Sequence, residues 1–374
     1  MRITRFAVTE VLLCPPVANI IAAVVTAMSN HLFTFILAGG SGERFWPLSR
    51  SKTPKHLLRL LSDRTLLETT VRRVENLVPW DQVFILTNAA QVDSIRKELP
   101  FLPAENIVAE PEKRDTAPAC ALAVGFARAR DKDAICALLP ADAVIHNIPV
   151  FQKQLTEAAE VAGKRDALVT FAIPPTYPST GFGYLQLGEG HDSVHKVVRF
   201  VEKPDLASAE NYYRSGEYAW NAGMFIWRAE IFLREAERLA PPLAEFIRDF
   251  PQGNANTYLA ERFSKLPKIS VDYAIMEKAS EVLAFKAAFD WDDVGSWTAL
   301  PDHLGRDEGG NTVRGDVVEH EARNNIALSN GRLIALCGVE DLIVIETPDA
   351  VLVCHRNAAQ DIKKLQPLLP DRLR

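Results

Sequence analysis

The sequence is poor in cysteine. Its five thiols, Cys14, Cys120, Cys136, Cys337 and Cys354, are scattered through 374 residues with no Cys-x-x-Cys spacing. That pattern excludes a disulfide framework or a cysteine-based zinc site and suits the reduced, mostly buried thiols of a cytoplasmic protein. An excess of positive charge is missing too: 42 Lys and Arg against 48 Asp and Glu leave a net charge of −6, so no nucleic acid partner is expected. No repeat of solenoid period and no low-complexity tract occurs. Near the N-terminus, Val17 to Met28 is nearly free of polar groups and follows Arg2 and Arg5, in the manner of a signal peptide. However, Glu10 and Pro15-Pro16 interrupt the apolar region, which is too short for a convincing membrane span. Residues 1–30 are therefore read as an extension, or as lying upstream of a true start at Met28, and no membrane partner is expected. With 48% hydrophobic and 24% charged residues, the remainder is ordinary for a soluble globular protein of two domains.

What is present centres on residues 33–58. An apolar run from Leu32 to Leu37, rich in β-formers, ends at Ala38-Gly39-Gly40 and predicts a buried parallel strand. Gly39, Gly40 and Gly42 leave backbone N–H groups open to close approach. Arg44 and Lys55 add cations just beyond, and a following helix would add its N-terminal dipole. Together these features predict a phosphate-binding loop. It is not a Walker loop, because no Lys-Ser/Thr follows at the required spacing. Nor is it the dinucleotide fingerprint, which needs a third glycine after Gly42.

Downstream, residues 65–74 have helical spacing, Val83 to Thr87 is a short β-rich run, and a polar helix is expected around Gln91 to Leu99. Ile107 to Glu110 is a strand candidate, Ala117 to Arg130 a helix capped by Thr116 or Asp115, and Ala134 to Leu139 a fourth apolar run. This alternation predicts βαβ units and a mostly parallel, doubly wound α/β sheet. The fourth run leads into Pro140-Ala141-Asp142, a carboxylate on the edge where such sheets bind ligands. Asp142 is either a Mg²⁺ ligand facing phosphates or a cap on the next helix. In Asp292-Asp293 either aspartate could complete a two-carboxylate clamp, or form a turn or cap before a tryptophan-bearing helix. Three further constellations are Thr180-Gly181-Phe182-Gly183 before a strand, Glu202-Lys203 at a strand end, and Asn221-Ala222-Gly223 before an aromatic strand. Singly each is most often a turn or a surface ion pair. After Gly309-Gly310, residues 311–355 are short β runs with turn signals, predicting a small β domain or cap.

The stretch Gly39-Gly40-Ser41-Gly42-Glu43-Arg44-Phe45-Trp46-Pro47-Leu48-Ser49, with Pro54-Lys55 beyond it, resembles the signature of sugar-1-phosphate nucleotidylyltransferases. From about residue 32 the order of motifs is similar to the mannose-1-phosphate guanylyltransferase family. Those motifs include Glu110-Pro111, Arg114-Asp115-Thr116-Ala117-Pro118-Ala119, Glu202-Lys203-Pro204, Ser270-Val271-Asp272-Tyr273 and Asp293-Val294-Gly295-Ser296-Trp297, with the tail Ala359-Gln360-Asp361-Ile362-Lys363.

The resemblance implies a Rossmann-like catalytic domain over residues 31–305. A small left-handed β-helix-like domain with a terminal helix would follow over residues 306–374, often supporting a homodimer. It implies GTP and mannose 1-phosphate as substrates and Mg²⁺ held by Asp142 and Asp293, with Arg44 and Lys55 completing the catalytic set. Leu37, Gly39, Gly40, Ser41, Gly42, Arg44, Glu110, Asp115 and Thr116 would bind the nucleotide. Gly183, Glu202, Lys203 and Asn221 would hold the sugar phosphate. Three positions depart from the family's pattern: Glu43 for Thr, Asp115 for Asn, and Ala143 for His. Rival expectations are transfer with another base or sugar, such as UTP and glucose 1-phosphate, or a sugar-nucleotide sensor without turnover.

Overall fold

The alternating apolar runs form strands β1 (Leu32–Ala38), β2 (Val83–Asn88), β3 (Ile107–Glu110) and β4 (Ile135–Pro140). They lie parallel in the order β3-β2-β1-β4. This computed structural model describes residues 31–374, so the expectations for residues 1–30 lie outside the described residues. The intervening helices are α1 (Leu66–Arg72), α2 (Val92–Glu98) and α3 (Thr116–Arg130), followed by α4 (Ile148–Lys164). Thr65 caps α1 by accepting from the Glu68 amide, and Asp115 caps α3 by accepting from that of Thr116.

Alternation along β1 builds a core on each face of the sheet. Phe33 and Phe35 join α3 on one face, while Ile36 and Ala38 join side chains of α1, α2 and α4 on the other. Beyond β4 the sheet turns mixed. Strands β5 (Leu168–Ile173), β6 (Tyr184–His191), β7 (Val194–Val201), β8 (Tyr218–Arg228) and β9 (Val282–Lys286) extend it to the order β3-β2-β1-β4-β8-β5-β9-β7-β6. Here β8 runs antiparallel to both β4 and β5. The mostly parallel expectation therefore describes the first four strands. β6 and β7 are joined by the tight turn Asp192-Ser193 and can pair only as an antiparallel hairpin.

The C-terminal part is a parallel coil. β10 (Thr312–Arg314), β12 (Ile326–Leu328) and β14 (Leu342–Thr347) stack in parallel, β11 (Val317–His320) pairs β13 (Ile334–Cys337), and β15 (Ala350–His355) closes antiparallel on β14. An internal amide spine fixes the register. Buried Asn325 donates to the Asn311 side-chain oxygen at 3.0 Å and accepts from the Leu342 amide at 2.9 Å. The expected terminal helix is a 3₁₀ coil, Arg356–Leu368, with Pro367 inside it.

This coil does not stand apart. Ile326, Ile343, Ile345, Leu352 and Ile362 share one core with Phe45, Trp46, Val294 and Trp297. Trp297 donates to the Trp46 carbonyl at 3.3 Å, and Trp46 donates to that of Leu373 at 3.0 Å. All four described cysteines are free: Cys120 and Cys136 are buried, and Cys337 is exposed. No helix among the described residues is long and apolar enough to cross a membrane. Trp297 is fully buried in the core that joins the turn Glu43–Phe45 to the coil, so Trp297→Ala should cost about 3–5 kcal/mol, read as a lowered midpoint in chemical denaturation.

Candidate functional site

The end of β1 opens into a cavity because its glycines stand clear. A Cβ at Gly39 or Gly40 would meet nothing within 4 Å, so their faces are free for a ligand. Gly42 serves differently. Its φ is +67°, and a Cβ there would lie 2.3 Å from the Lys55 Cβ, so only glycine lets Lys55 close against the loop. The expected helix is replaced by a single 3₁₀ turn, Glu43–Phe45. Pro47 forces the preceding Trp46 out of helical geometry, and its ψ is 138°. No helix dipole therefore serves the loop; its amides and cations must suffice.

Lys55 is buried, and its ammonium pairs with Asp142 at 2.9 Å while donating to the Asp293 carbonyl. The two readings of Asp142 separate cleanly, because Asn147, not Asp142, caps α4. Asp142 instead stands at the C-terminal edge of β4, facing the glycine loop across a cavity of about 340 Å³. Asp292 and Asp293 separate as well. Asp292 is consumed as a turn, accepting from the Val294 amide at 2.7 Å and from His303 at 3.0 Å. Burial alone would raise its carboxyl, but these donors hold it low. Asp293 lines the cavity, and burial pushes its carboxyl up to about 6 against the pull of Lys55. Arg44 lines the same wall and donates to the Gly295 carbonyl at 3.3 Å.

A second cavity, of about 450 Å³, adjoins the first through Asp293, which is in both walls. Its wall carries Leu37, Gly39, Gly40, Glu110, Asp115 and Thr116 together with Gly183, Glu202 and Asn221. Gly183 is there for Glu202: a Cβ would lie 2.6 Å from the Glu202 carboxylate. Lys203 pairs with Glu202 at 2.7 Å but contributes to neither cavity wall. Asn221 lies inside β8 at an irregularity in its pairing with β5, not before the strand. Its side-chain oxygen already accepts from Thr170 and the Gly223 amide, and its nitrogen donates to Asp272 at 3.1 Å.

Asp272, Phe182 and Trp291 line this cavity without having been singled out in the sequence, as Lys363 does in the first. A signal for Asp272 existed in the motif Ser270-Val271-Asp272-Tyr273, but its partner Asn221 is 51 residues away. Burial and then the charge of Glu202 push Asp272 up to about 7, and burial alone does the same for Glu110. Among the departures, Glu43 lines the phosphate-loop cavity and accepts from Ser41 at 3.3 Å. Ala143 turns into the core, its carbonyl accepting from buried Arg73.

Among the described residues no cluster of three or more His, Cys, Asp or Glu could hold a metal. Asp142 and Asp293 nevertheless put two carboxyl groups on one cavity wall, a donor set that suits Mg²⁺, which commonly takes one or two carboxylates together with substrate phosphates. The Lys55 ammonium on these same residues shows that the spot favours positive charge.

Residues 33–308 match a family model for nucleotidyl transferases, and residues 315–367 match one for the mannose-phosphate isomerase/GMP-like beta-helix domain. A mannose-1-phosphate guanylyltransferase of Klebsiella pneumoniae is 39% identical over 354 residues, covering 92% of this chain and 75% of the relative. The alginate biosynthesis protein AlgA of Pseudomonas aeruginosa is 37% identical over 341 residues, covering 88% of this chain and 70% of the relative. Among solved structures, a Thermus thermophilus protein named mannose-1-phosphate geranyltransferase superposes with a TM-score of 0.83 at 32% identity. That match covers 90% of this chain and 99% of the other.

The buried Asp272 supplies a pH-dependent test. Its folded pKa of about 7 lies above the ordinary 3.8, so its proton favours the fold fully below about pH 4, and that advantage is lost as pH rises through 7. Asp272→Asn, which can still accept from Asn221, should therefore be more stable than the wild type at about pH 8. The gain should be on the order of 4 kcal/mol, vanish near pH 4, and be measurable by thermal melts across that range.

Proposed function

The chain belongs to the nucleotidyl transferase family, and from that premise we infer that it transfers GMP from GTP to mannose 1-phosphate, giving GDP-mannose and pyrophosphate. The observation that carries this inference is the shared wall. The cavity at the glycine loop meets, at Asp293, a second cavity whose wall joins the residues expected for the nucleotide to those expected for the sugar.

In the reaction, a phosphate oxygen of mannose 1-phosphate attacks the α-phosphorus of GTP. The new O–P bond forms as the bond to the β-phosphate oxygen breaks, and the electron pair leaves with pyrophosphate. The nucleophile is already an anion, so no base need remove a proton and no covalent enzyme intermediate is required. The protein's task is to hold two anions together and offset their repulsion, which in phosphoryl transfer is mostly positioning and electrostatics. Arg44 and the amides of Gly39, Gly40, Ser41 and Gly42 take the β- and γ-phosphates. Lys55, held in place by Asp142 and the Asp293 carbonyl, offers its fixed charge to the α-phosphate as charge builds there. Leu37, Glu110, Asp115 and Thr116 hold the nucleoside. Glu202, Asn221 and Gly183 hold the sugar, with Lys203 beside Glu202. Asp142 and Asp293 would hold Mg²⁺, which would supply positive charge to offset that of the substrate phosphates.

The same proposal carries a cytoplasmic location, where GTP is supplied, and a homodimer through the β domain. On its outer strand, β15, Val351 and Val353 are 52% and 65% exposed.

Pyrophosphate release by the purified protein, offered GTP or UTP against mannose 1-phosphate or glucose 1-phosphate with Mg²⁺, tests this directly. Release is expected only with GTP and mannose 1-phosphate, and should be abolished by chelation and by Asp142→Ala. Turnover with UTP would move the chain to a sister activity, and silence with every pair would overturn the enzyme assignment.

A further inference from the structure

We propose that Lys363, on the closing coil of the β domain, binds the terminal phosphates of the nucleotide and of departing pyrophosphate. This inference rests on the reaction inferred above. It gives the β domain a direct part in the catalytic cavity.

Lys363 is anchored on both sides. Ile362, its neighbour, is 2% exposed in the core that also contains Phe45 and Trp46. The coil Arg356–Leu368 packs against the turn Glu43–Phe45. Gln360 reaches Ser296 at 3.5 Å, and the Trp46 indole holds the Leu373 carbonyl. Backbone before and after Lys363 is thus tied to the segments that carry Arg44 and Asp293. From there the side chain lines the phosphate-loop cavity.

The Lys363 ammonium is also unengaged. Arg44 and Lys55 each have a protein partner in this cavity. Lys364 pairs with Asp361 at 2.8 Å. Lys363 has no hydrogen bond or ion pair among the described residues. A free ammonium on a concave wall is available to an anion at little cost in broken contacts.

Charge placement supports the same role. The cavity wall carries three carboxylates, those of Glu43, Asp142 and Asp293, against Arg44, Lys55 and Lys363. A metal on Asp142 and Asp293 would offset two of the carboxylates near the α-phosphate, which leaves Glu43 beside the outer phosphates to be offset by Lys363.

The position along the substrate follows from topology. Asp293 belongs to both cavities, so the reacting α-phosphate belongs near it. Lys363 lines only the first cavity, which places it toward the leaving group and away from the sugar. It should therefore distinguish ligands that have phosphates beyond the α-position from those that do not.

The test compares Lys363→Ala and Lys363→Arg with wild type for binding of GTP, inorganic pyrophosphate and GMP by titration calorimetry, with thermal melts as a control on folding. Loss of one charge-assisted contact should weaken GTP and pyrophosphate by about tenfold or more, leaving GMP affinity and the KM for mannose 1-phosphate unchanged. Lys363→Arg should restore most of the loss. Unchanged GTP and pyrophosphate binding in a folded Lys363→Ala would overturn the inference, as would an equal loss for GMP. Wild type that turns over UTP instead of GTP would defeat the guanylyl assignment while leaving the pyrophosphate arm to judge Lys363 by itself.

Discussion

The site depends on one buried cation, the Lys55 ammonium held between the Asp142 carboxylate and the Asp293 carbonyl. A lysine out of water needs compensating charge and acceptors, and here they come from chain segments distant in sequence. Gly42 admits the Lys55 stem, β4 delivers Asp142, and the turn built by Asp292 and Val294 delivers Asp293. Loss of any one strands a charge, so the loop, the sheet edge and the acidic turn are interdependent. The arrangement also stores what the reaction uses. Positive charge is already fixed beside the point where two anionic substrates must meet, so little reorganisation is needed at the moment of transfer.

Rigidity of this cluster comes from apolar packing outside it. Phe45 and Trp297 pack edge to face with ring centres 5.0 Å apart, and inner residues of the β coil cover them. The glycine loop, having no helix behind it, is therefore braced by the C-terminal domain. This is the physical reason a β coil accompanies the α/β sheet here: it supplies the hydrophobic backing that a following helix would otherwise provide.

What the sequence revealed and what it concealed divide by range. The first four strands were legible because each is a short apolar run bounded by turn residues. Asp142 was legible because a carboxylate at the end of such a run has few places to go. The signature at Gly39 to Ser49 marked the phosphate loop for a similar reason, since glycines at that density have no role in a packed element. The antiparallel half of the sheet was hidden. β8 carries the same aromatic and β-branched residues whichever way it runs, and only its partners decide. Asp272 was hidden because its environment is made by Asn221 and Glu202, far away in the chain. The 3₁₀ turn after Gly42 was in principle readable from Pro47, but the usual association of phosphate loops with helices points the other way.

The proposed reaction needs no covalent intermediate, because its nucleophile is already a phosphate anion. It is a direct displacement between two substrates held end to end. The most direct measurement is the stereochemical course at phosphorus, using GTP made chiral at the α-position by sulfur and analysing the GDP-mannose product. A single in-line transfer predicts inversion of configuration. Retention would require two displacements through a covalent enzyme intermediate and would contradict direct transfer.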